Sequence, residues 1–400
     1  MLRTLITTLF MLSAQAVSAQ TAWISTGEQG WQVLQGQGGG VMLRASSLAG
    51  LAMPETVYLL EVPAKDVERL AALLHLKLRH CGGFMFHSTE AAGQLALAGR
   101  ASGLAQRVKP SYAITQSALV TPAIARMEEP RLAATIGRLS TFSNRYFSSA
   151  QGVEASNWIR QTWEEIGKAH GLVMVTQYAH SGYGQQSVIA TILGSDKADE
   201  VIVLGAHMDS INLFSPRSGG VAPGADDDAS GIAGLTEVLR TLVVSRYKPR
   251  RTIKLIAYAA EEVGLRGSQD IARAFRNANI DVVGVLQLDM TNYKGSDKDI
   301  YLITDYTDDT QNEFLRQLIA AYLPTLTVGT DKCGYACSDH TAWHAQGYAA
   351  SMPFEAELSN DNPHIHTKND TFANTGNQAA HALKFSRLAA AFAIELGSTP

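Results

Sequence analysis

The sequence is short of the features that mark several common protein classes. Its 33 Lys and Arg residues against 37 Asp and Glu give a formal net charge of −4, without the basic excess of a nucleic-acid-binding protein. It contains no long run of one charge and no repeat at a period of about 20–50 residues, which argues against a solenoid. Beyond residue 20 no apolar stretch reaches the ~18 residues that a membrane span needs. The motif HExxH is absent, which excludes the single-zinc proteases that carry it on a helix.

Cysteine is also scarce, with only Cys81, Cys333 and Cys337 in the chain. In a reducing compartment the pair Cys333 and Cys337, four residues apart, would indicate a metal or redox site. Outside the cytosol a small disulfide-closed loop is favoured, because no second cysteine pair is present to complete a zinc cage.

The first residues, MLRTLITTLFMLSAQAVSAQ, indicate that the protein leaves the cytosol. Arg3 supplies a positive charge, residues 5–12 an apolar core and residues 17–19 a small-residue cleavage site, which is typical of a secretory signal peptide over residues 1–19. A buried N-terminal helix is the alternative. We therefore predict a secreted protein, extracellular or periplasmic.

Residues 20–106 differ from the remainder of the chain. TVYLLEVP, an apolar-periodic segment near 65–79 and FMFH form a β-α-β outline that predicts a small, separate α+β module. Residues 107–130 are predicted to be a linker that includes the start of the mature enzyme, since Pro110, Pro122 and Pro130 punctuate a polar stretch. The module would be a removable pro-segment; a permanent accessory domain is the alternative.

Residues 131–400 alternate near-continuous apolar strands with amphipathic helices, which predicts one α/β domain with a largely parallel mixed sheet between helical layers. Several apolar runs end in an acid or a histidine: VIVLGA leads to His207 and Asp209, IKLIAYAA to Glu261 and Glu262, and VVGVLQL to Asp289. In open α/β sheets ligands bind outside the carboxyl ends of the strands. Any one of these acids could be a helix cap, but all of them together indicate a shared site.

Three consecutive aspartates in GADDDASG, residues 224–231, belong to the same predicted edge, where little Lys or Arg balances them. A divalent metal would balance the charge. Mixed His and carboxylate ligands favour zinc, or cobalt or manganese in its place, over calcium or magnesium. More carboxylates than histidines favours two ions that share a bridging carboxylate.

The motifs GAHMDS, APGADDDASG, AYAAEEVGLRGSQD, LQLDMTNYKG, CGYACSDH and NPHIHT occur in one order and spacing over residues 115–397. In this the chain resembles the bacterial leucyl aminopeptidases, which are secreted di-zinc exopeptidases of the zinc exopeptidase fold. The resemblance implies that His207 and Asp289 hold one zinc, that Glu262 and His366 hold the other, and that Asp227 bridges them. His364, two residues from His366, is the rival ligand, and the family's register favours His366.

The resemblance also implies catalytic roles. Glu261 would be the general base that activates the metal-bridging water, Tyr335 would steady the oxyanion, and Asp209 would orient the His207 imidazole. An apolar pocket would select leucine-like N-terminal residues of peptides with a free N-terminus; it maps to Met290, Ile303, Cys333, Tyr335, Cys337, Met352, Phe354 and Ile365. Each of these could instead be plain core packing. Leu358 and Asp361 replace the aromatic residues expected at the rim and would open or polarise it.

The expected partners are peptide substrates and the chain's own pro-segment, without nucleic acid or membrane span, in a monomer. Related folds leave three alternatives: a glutaminyl cyclase, a carboxypeptidase and a non-catalytic receptor ectodomain. The full set of five ligands and the adjacent glutamates argue against the first and the last. A carboxypeptidase would need an arginine to bind the substrate's C-terminal carboxylate, and no arginine lies beside the motifs in a position to do so.

Overall fold

The computed structural model describes residues 21–35, 56–79, 82–101, 112–169, 171–215 and 219–399. The predicted signal peptide, Cys81 and Pro110 lie outside these ranges. Within them, none of the helices combines the length and the apolar character that crossing a membrane requires.

In its described residues the N-terminal module has three strands and three helices: β1 (Thr21–Thr26), α1 (Glu28–Gln35), β2 (Tyr58–Pro63), α2 (Val67–Leu78), β3 (Phe84–His87) and α3 (Glu90–Ala101). Its strands form an antiparallel sheet in the order β2-β1-β3. Helix α2 buries Val67, Leu70, Ala71 and Leu74 against that sheet, the spacing of one helical face. The predicted β-α-β outline is thereby confirmed, and the module has its own small core.

The predicted linker is wrong for its described part. Residues 117–124 form helix α4 (Ser117–Ile124), and α5 (Glu129–Leu139) follows directly. Val120 and Ile124 are buried in the main core, while Pro130 sits in the first turn of α5, where a missing N–H costs nothing. Pro122 lies inside α4 and Pro130 at the start of α5, so neither proline marks a linker.

Glu395 of the C-terminal helix fastens this region. Its carboxylate accepts hydrogen bonds from the backbone N–H of Thr115 at 3.0 Å and of Gln116 at 3.0 Å, and from the Tyr322 hydroxyl. These partners satisfy a carboxylate that is buried, as an interior charge requires.

The remaining strands are β4 (Val173–Tyr178), β5 (Ser187–Ile192), β6 (Lys197–His207), β7 (Arg251–Tyr258), β8 (Asp281–Gln287), β9 (Ile300–Ile303), β10 (Val328–Asp331), β11 (Ala350–Ser351) and β12 (Pro353–Phe354). The helices are α6 (Ala150–Gly167), α7 (Ala229–Val244), α8 (Arg266–Asn277), α9 (Asp309–Tyr322), α10 (His340–Ala345) and α11 (Ala380–Ser398). The central sheet has the order β11-β8-β6-β7-β5-β4. Its pairings are parallel from β11 to β7 and antiparallel at β5 and β4, which confirms the mixed α/β fold.

Both faces of the sheet are covered. Leu204 and Ala206 of β6 share a core cluster with α7 and α11, whereas Val201 and Val203 share another with α8 and α10, as alternating strand residues must. The segment YAASMPFE contributes to two sheets: β11 joins the central sheet, and β12 joins β9 and β10 in a second sheet. Strands β8, β6 and β7 are parallel neighbours, so their carboxyl ends meet at one edge.

Candidate metal centre

At this edge His207 and two carboxylates converge. His207 is the last residue of β6, Asp289 follows β8, and Asp227 lies in the turn before α7. The Nε2 atom of His207 lies 3.0 Å from Asp227 Oδ1 and 3.6 Å from Asp289 Oδ1. All three side chains are buried, and one donor atom of each falls within 4.8 Å of the others.

A second group meets the other face of Asp227. His366 Nε2 lies 3.0 Å from Asp227 Oδ2 and 3.2 Å from Glu262 Oε2. The two oxygens of Asp227 therefore face two different imidazoles. This is the arrangement that a bridging carboxylate has between two metal ions.

The three consecutive aspartates have three different surroundings. Asp228 is the N-cap of α7, with Oδ1 accepting from the Gly231 N–H at 2.8 Å and Oδ2 from the His207 N–H at 3.1 Å. Asp226 accepts from the Asn292 N–H at 3.0 Å and from the Asn362 amide at 3.1 Å. Of the three, only Asp227 faces the two histidines; Asp228 caps a helix, and Asp226 holds neighbouring loops together.

Asp209 holds the turn that carries the two glutamates. Its carboxylate accepts from the N–H groups of Glu261 at 3.0 Å and Glu262 at 3.2 Å, and its Oδ1 lies 3.5 Å from His207 Nδ1. Ala260 just before them is left-handed, with φ +57°, a conformation that a residue with a Cβ keeps only when its surroundings fix it. Asp209 thus positions the glutamate backbone as well as lying beside the imidazole.

The cluster is short of positive charge. Burial opposes protonation of His207 and His366, yet the carboxylates around them raise the pKa of both well above the ordinary value. Burial, with Asp227 beside it, raises the pKa of Glu262 to about 7. Both oxygens of Glu261 are buried without a hydrogen-bond partner among the described residues. Imidazoles and carboxylates at these distances fit zinc, whose charge would replace those protons.

Seven of the eight predicted pocket residues lie in one apolar cluster: Met290, Ile303, Cys333, Cys337, Met352 and Phe354 are buried, and Ile365 packs against them together with Leu358. The eighth, Tyr335, belongs to a separate cluster. The cavity beside Asp289 that the first cluster encloses is only about 10 Å³, about the room for one water. Cys333 and Cys337 are joined in a disulfide, so their group with His340 does not offer thiolates to a metal.

Tyr335, the predicted oxyanion partner, is buried and bonded to the N-terminal module. Its hydroxyl shares a hydrogen bond of 2.7 Å with Ser25 Oγ and lies 3.3 Å from Met85 Sδ. The catalytic domain and the module therefore meet at a residue that the motifs assign to chemistry.

Comparison with known proteins places this geometry in a family. The sequence profile of peptidase family M28 matches residues 187–392, which contain every predicted metal ligand. This chain belongs to peptidase family M28. The chain is 37% identical to leucine aminopeptidase 1 of Aspergillus niger over 291 residues, 69% of this chain and 73% of that protein.

Two solved structures that this chain resembles come from Legionella pneumophila. LapB matches with a TM-score of 0.79 and 30% identity, over 95% of this chain and all of that one. The LapA aminopeptidase matches with 0.77 and 29%, over 96% of this chain and all of that one. The predicted enzyme class, a metallo-aminopeptidase, is confirmed, and the non-catalytic alternative is removed. Relatives occur in fungi as well as bacteria, so the resemblance to bacterial enzymes alone was too narrow.

Sequence reasoning missed three residues around the M28 site. Arg145 is fully buried and binds the Met208 carbonyl through Nε at 2.8 Å and the Gly224 carbonyl through Nη2 at 2.8 Å. Asp370 accepts from the Asp227 N–H at 3.1 Å. His75 of the module has donor atoms within 4.8 Å of those of Glu262 and His366. These contacts join residues far apart in sequence, so no local motif predicts them.

Proposed function

We propose that the chain is a secreted di-zinc aminopeptidase that removes apolar, leucine-like residues from the N-termini of peptides. The supporting observation is Asp227, whose two oxygens each lie 3.0 Å from a different histidine. His207 and Asp289 would hold one ion, Glu262 and His366 the other, and Asp227 would serve both. Bound there, the ions would polarise the scissile carbonyl and acidify water.

The chain's own residues would supply the proton transfer. Glu261 is adjacent to a ligand, buried, and held by the bond from its N–H to Asp209. It would take a proton from the attacking water and return it to the leaving amine. Tyr335 would donate to the oxyanion once its hydroxyl leaves Ser25.

The predicted pocket supports a preference for apolar residues. Its members are buried side chains of Met, Ile and Phe together with the Cys333–Cys337 disulfide. Transfer of a leucine side chain from water into such surroundings is favourable. Because the present cavity is about 10 Å³, these side chains would separate to admit it. We further propose that residues 1–19 direct export and that 20–106 are a pro-segment.

The test is hydrolysis of leucine p-nitroanilide by protein purified from the culture medium, with its N-terminus sequenced and its metal counted. We expect about two zinc ions per chain and activity that a chelator abolishes. Glu261→Gln should lower kcat by about 10²–10⁴ with metal content unchanged, while the exposed Glu313→Gln serves as the matched control. Zinc-free protein without chelator-sensitive activity would refute the function; a fully active Glu261→Gln would refute the base alone.

A further inference from the structure

Helix α2 of the N-terminal module carries His75 into the metal centre. Leu70 and Leu74 of this helix belong to the module's own core, whereas His75, in the last turn, lies against the catalytic domain with 1% of its surface exposed. Its neighbours Leu76 and Lys77 are exposed. One residue of the helix is therefore aimed at the site while its own sheet holds the helix in place.

The His75 ring lies where a metal ligand would. Its Nδ1 atom is 3.7 Å from Glu262 Oε2, and its ring stacks on that of His366 with centroids 4.5 Å apart and planes 21° apart. Cavities of about 620 Å³ and 820 Å³ open on either side of α2, the first lined by Ala71 and Glu262, the second by His75 and His366. The helix therefore crosses the cleft that leads to the ligands.

Close backbone contacts fix the module in this position. Gly83 donates to the Ala336 carbonyl at 3.0 Å, and a Cβ on Gly82, whose φ is +66°, would lie 1.9 Å from that same oxygen. On the other side, Phe86 donates to the Gly264 carbonyl at 3.0 Å. Together with Ser25 on the Tyr335 hydroxyl, these contacts place the module on both the metal ligands and the oxyanion partner.

We propose that His75 is an intramolecular ligand of the metal held by Glu262 and His366, which makes the N-terminal module a cap on the metal centre. This inference rests on the proposed two-zinc function. A neutral imidazole and a free amine are both nitrogen donors, so His75 would take the coordination position that the substrate's N-terminus needs. The attached module would also keep Tyr335 bonded to Ser25, so removal of the module would free both.

The test uses the full chain loaded with Co²⁺, whose visible absorption reports the ligands. The wild-type spectrum should be insensitive to added imidazole. His75→Ala should show a changed spectrum that added imidazole returns toward the wild-type one, and Lys77→Ala on the same helical turn should match wild type. If the cap leaves about 1–10% of molecules open, His75→Ala should also bind a leucine-based inhibitor about 10- to 100-fold more tightly.

A second variant guards against loss of folding in the first. Gly82→Ala keeps His75, but its added methyl group clashes with the Ala336 carbonyl and should displace the module. The Co²⁺ spectrum of this variant should therefore become sensitive to imidazole. Identical spectra for wild type and His75→Ala, each with two metal ions bound, would overturn the cap and leave the two-metal function standing. Failure of every chain to bind metal would overturn the proposed function instead.

Discussion

Arg145 offers the sharpest test of how the metal centre is held. Its guanidinium donates in different directions to carbonyls on two loops that carry proposed ligands: to Met208, between His207 and Asp209, and to Gly224, three residues before Asp227. Arg145→Lys keeps the charge but not the fork, so one loop loses its partner. Bonds to charged groups contribute about 1.5–3 kcal/mol each, and the loss of two of the four carbonyl contacts should cost about 3–6 kcal/mol.

The assay is thermal unfolding of the zinc-loaded chain with metal titration beside it. A loss of this size should lower Tm by about 5–10 °C for a domain of this size, and zinc affinity should fall about 10- to 100-fold because the loops no longer hold their ligands in place. Arg126→Lys, at an exposed arginine, is the matched control. A Tm within about 2 °C of wild type with unchanged zinc affinity would refute this role for Arg145.

Three further outcomes are expected. Burial lowers the pKa of His381 to about 4, so between about pH 6.5 and pH 4 the unfolded chain protonates this histidine while the folded chain does not. The free energy of unfolding should therefore be highest above pH 6.5 and fall by up to about 3 kcal/mol as the pH drops toward 4. His381→Gln should flatten that part of a urea-midpoint profile, and an unchanged slope would contradict it. Asp228→Ala removes the acceptor for the His207 and Gly231 N–H groups and should cost about 1–3 kcal/mol in denaturant unfolding; no loss would show the cap to be dispensable. Met352→Ala should enlarge the closed apolar pocket and raise kcat/KM for phenylalanine relative to leucine p-nitroanilide by about tenfold, and an unchanged ratio would remove Met352 from that pocket.

Much of the catalytic domain was predictable because its signals are local. The apolar runs of β6, β7 and β8 each end at a residue that the structure brings to one edge, and parallel strand order makes that convergence necessary. The five predicted ligands meet there at the distances given above. Asp228 was also recognisable as a helix cap, since it immediately precedes α7.

Residues that act across long sequence distances were not predictable. Arg145 binds backbone carbonyls, and every residue has one, so the sequence does not identify its partners. His75 lies in a helix whose apolar pattern predicts only the packing within its own module. The division of residues 350–354 between two sheets depends on partners far away in sequence. In each case tertiary contacts decide the outcome, and one chain segment read alone does not contain them.

The Glu395 carboxylate bears on the proposed removal of the N-terminal module. It ties Thr115 and Gln116, which follow the predicted boundary at residue 106, to the closing helix α11. The two ends of the catalytic domain are therefore clasped to each other rather than to the module. A chain cut ahead of Tyr112 would keep that clasp, so the enzyme could lose its first hundred residues without fraying at the new terminus. Removal of the module would then expose the surfaces that it covers, while the thermal stability of the catalytic domain and its resistance to proteolysis would change little.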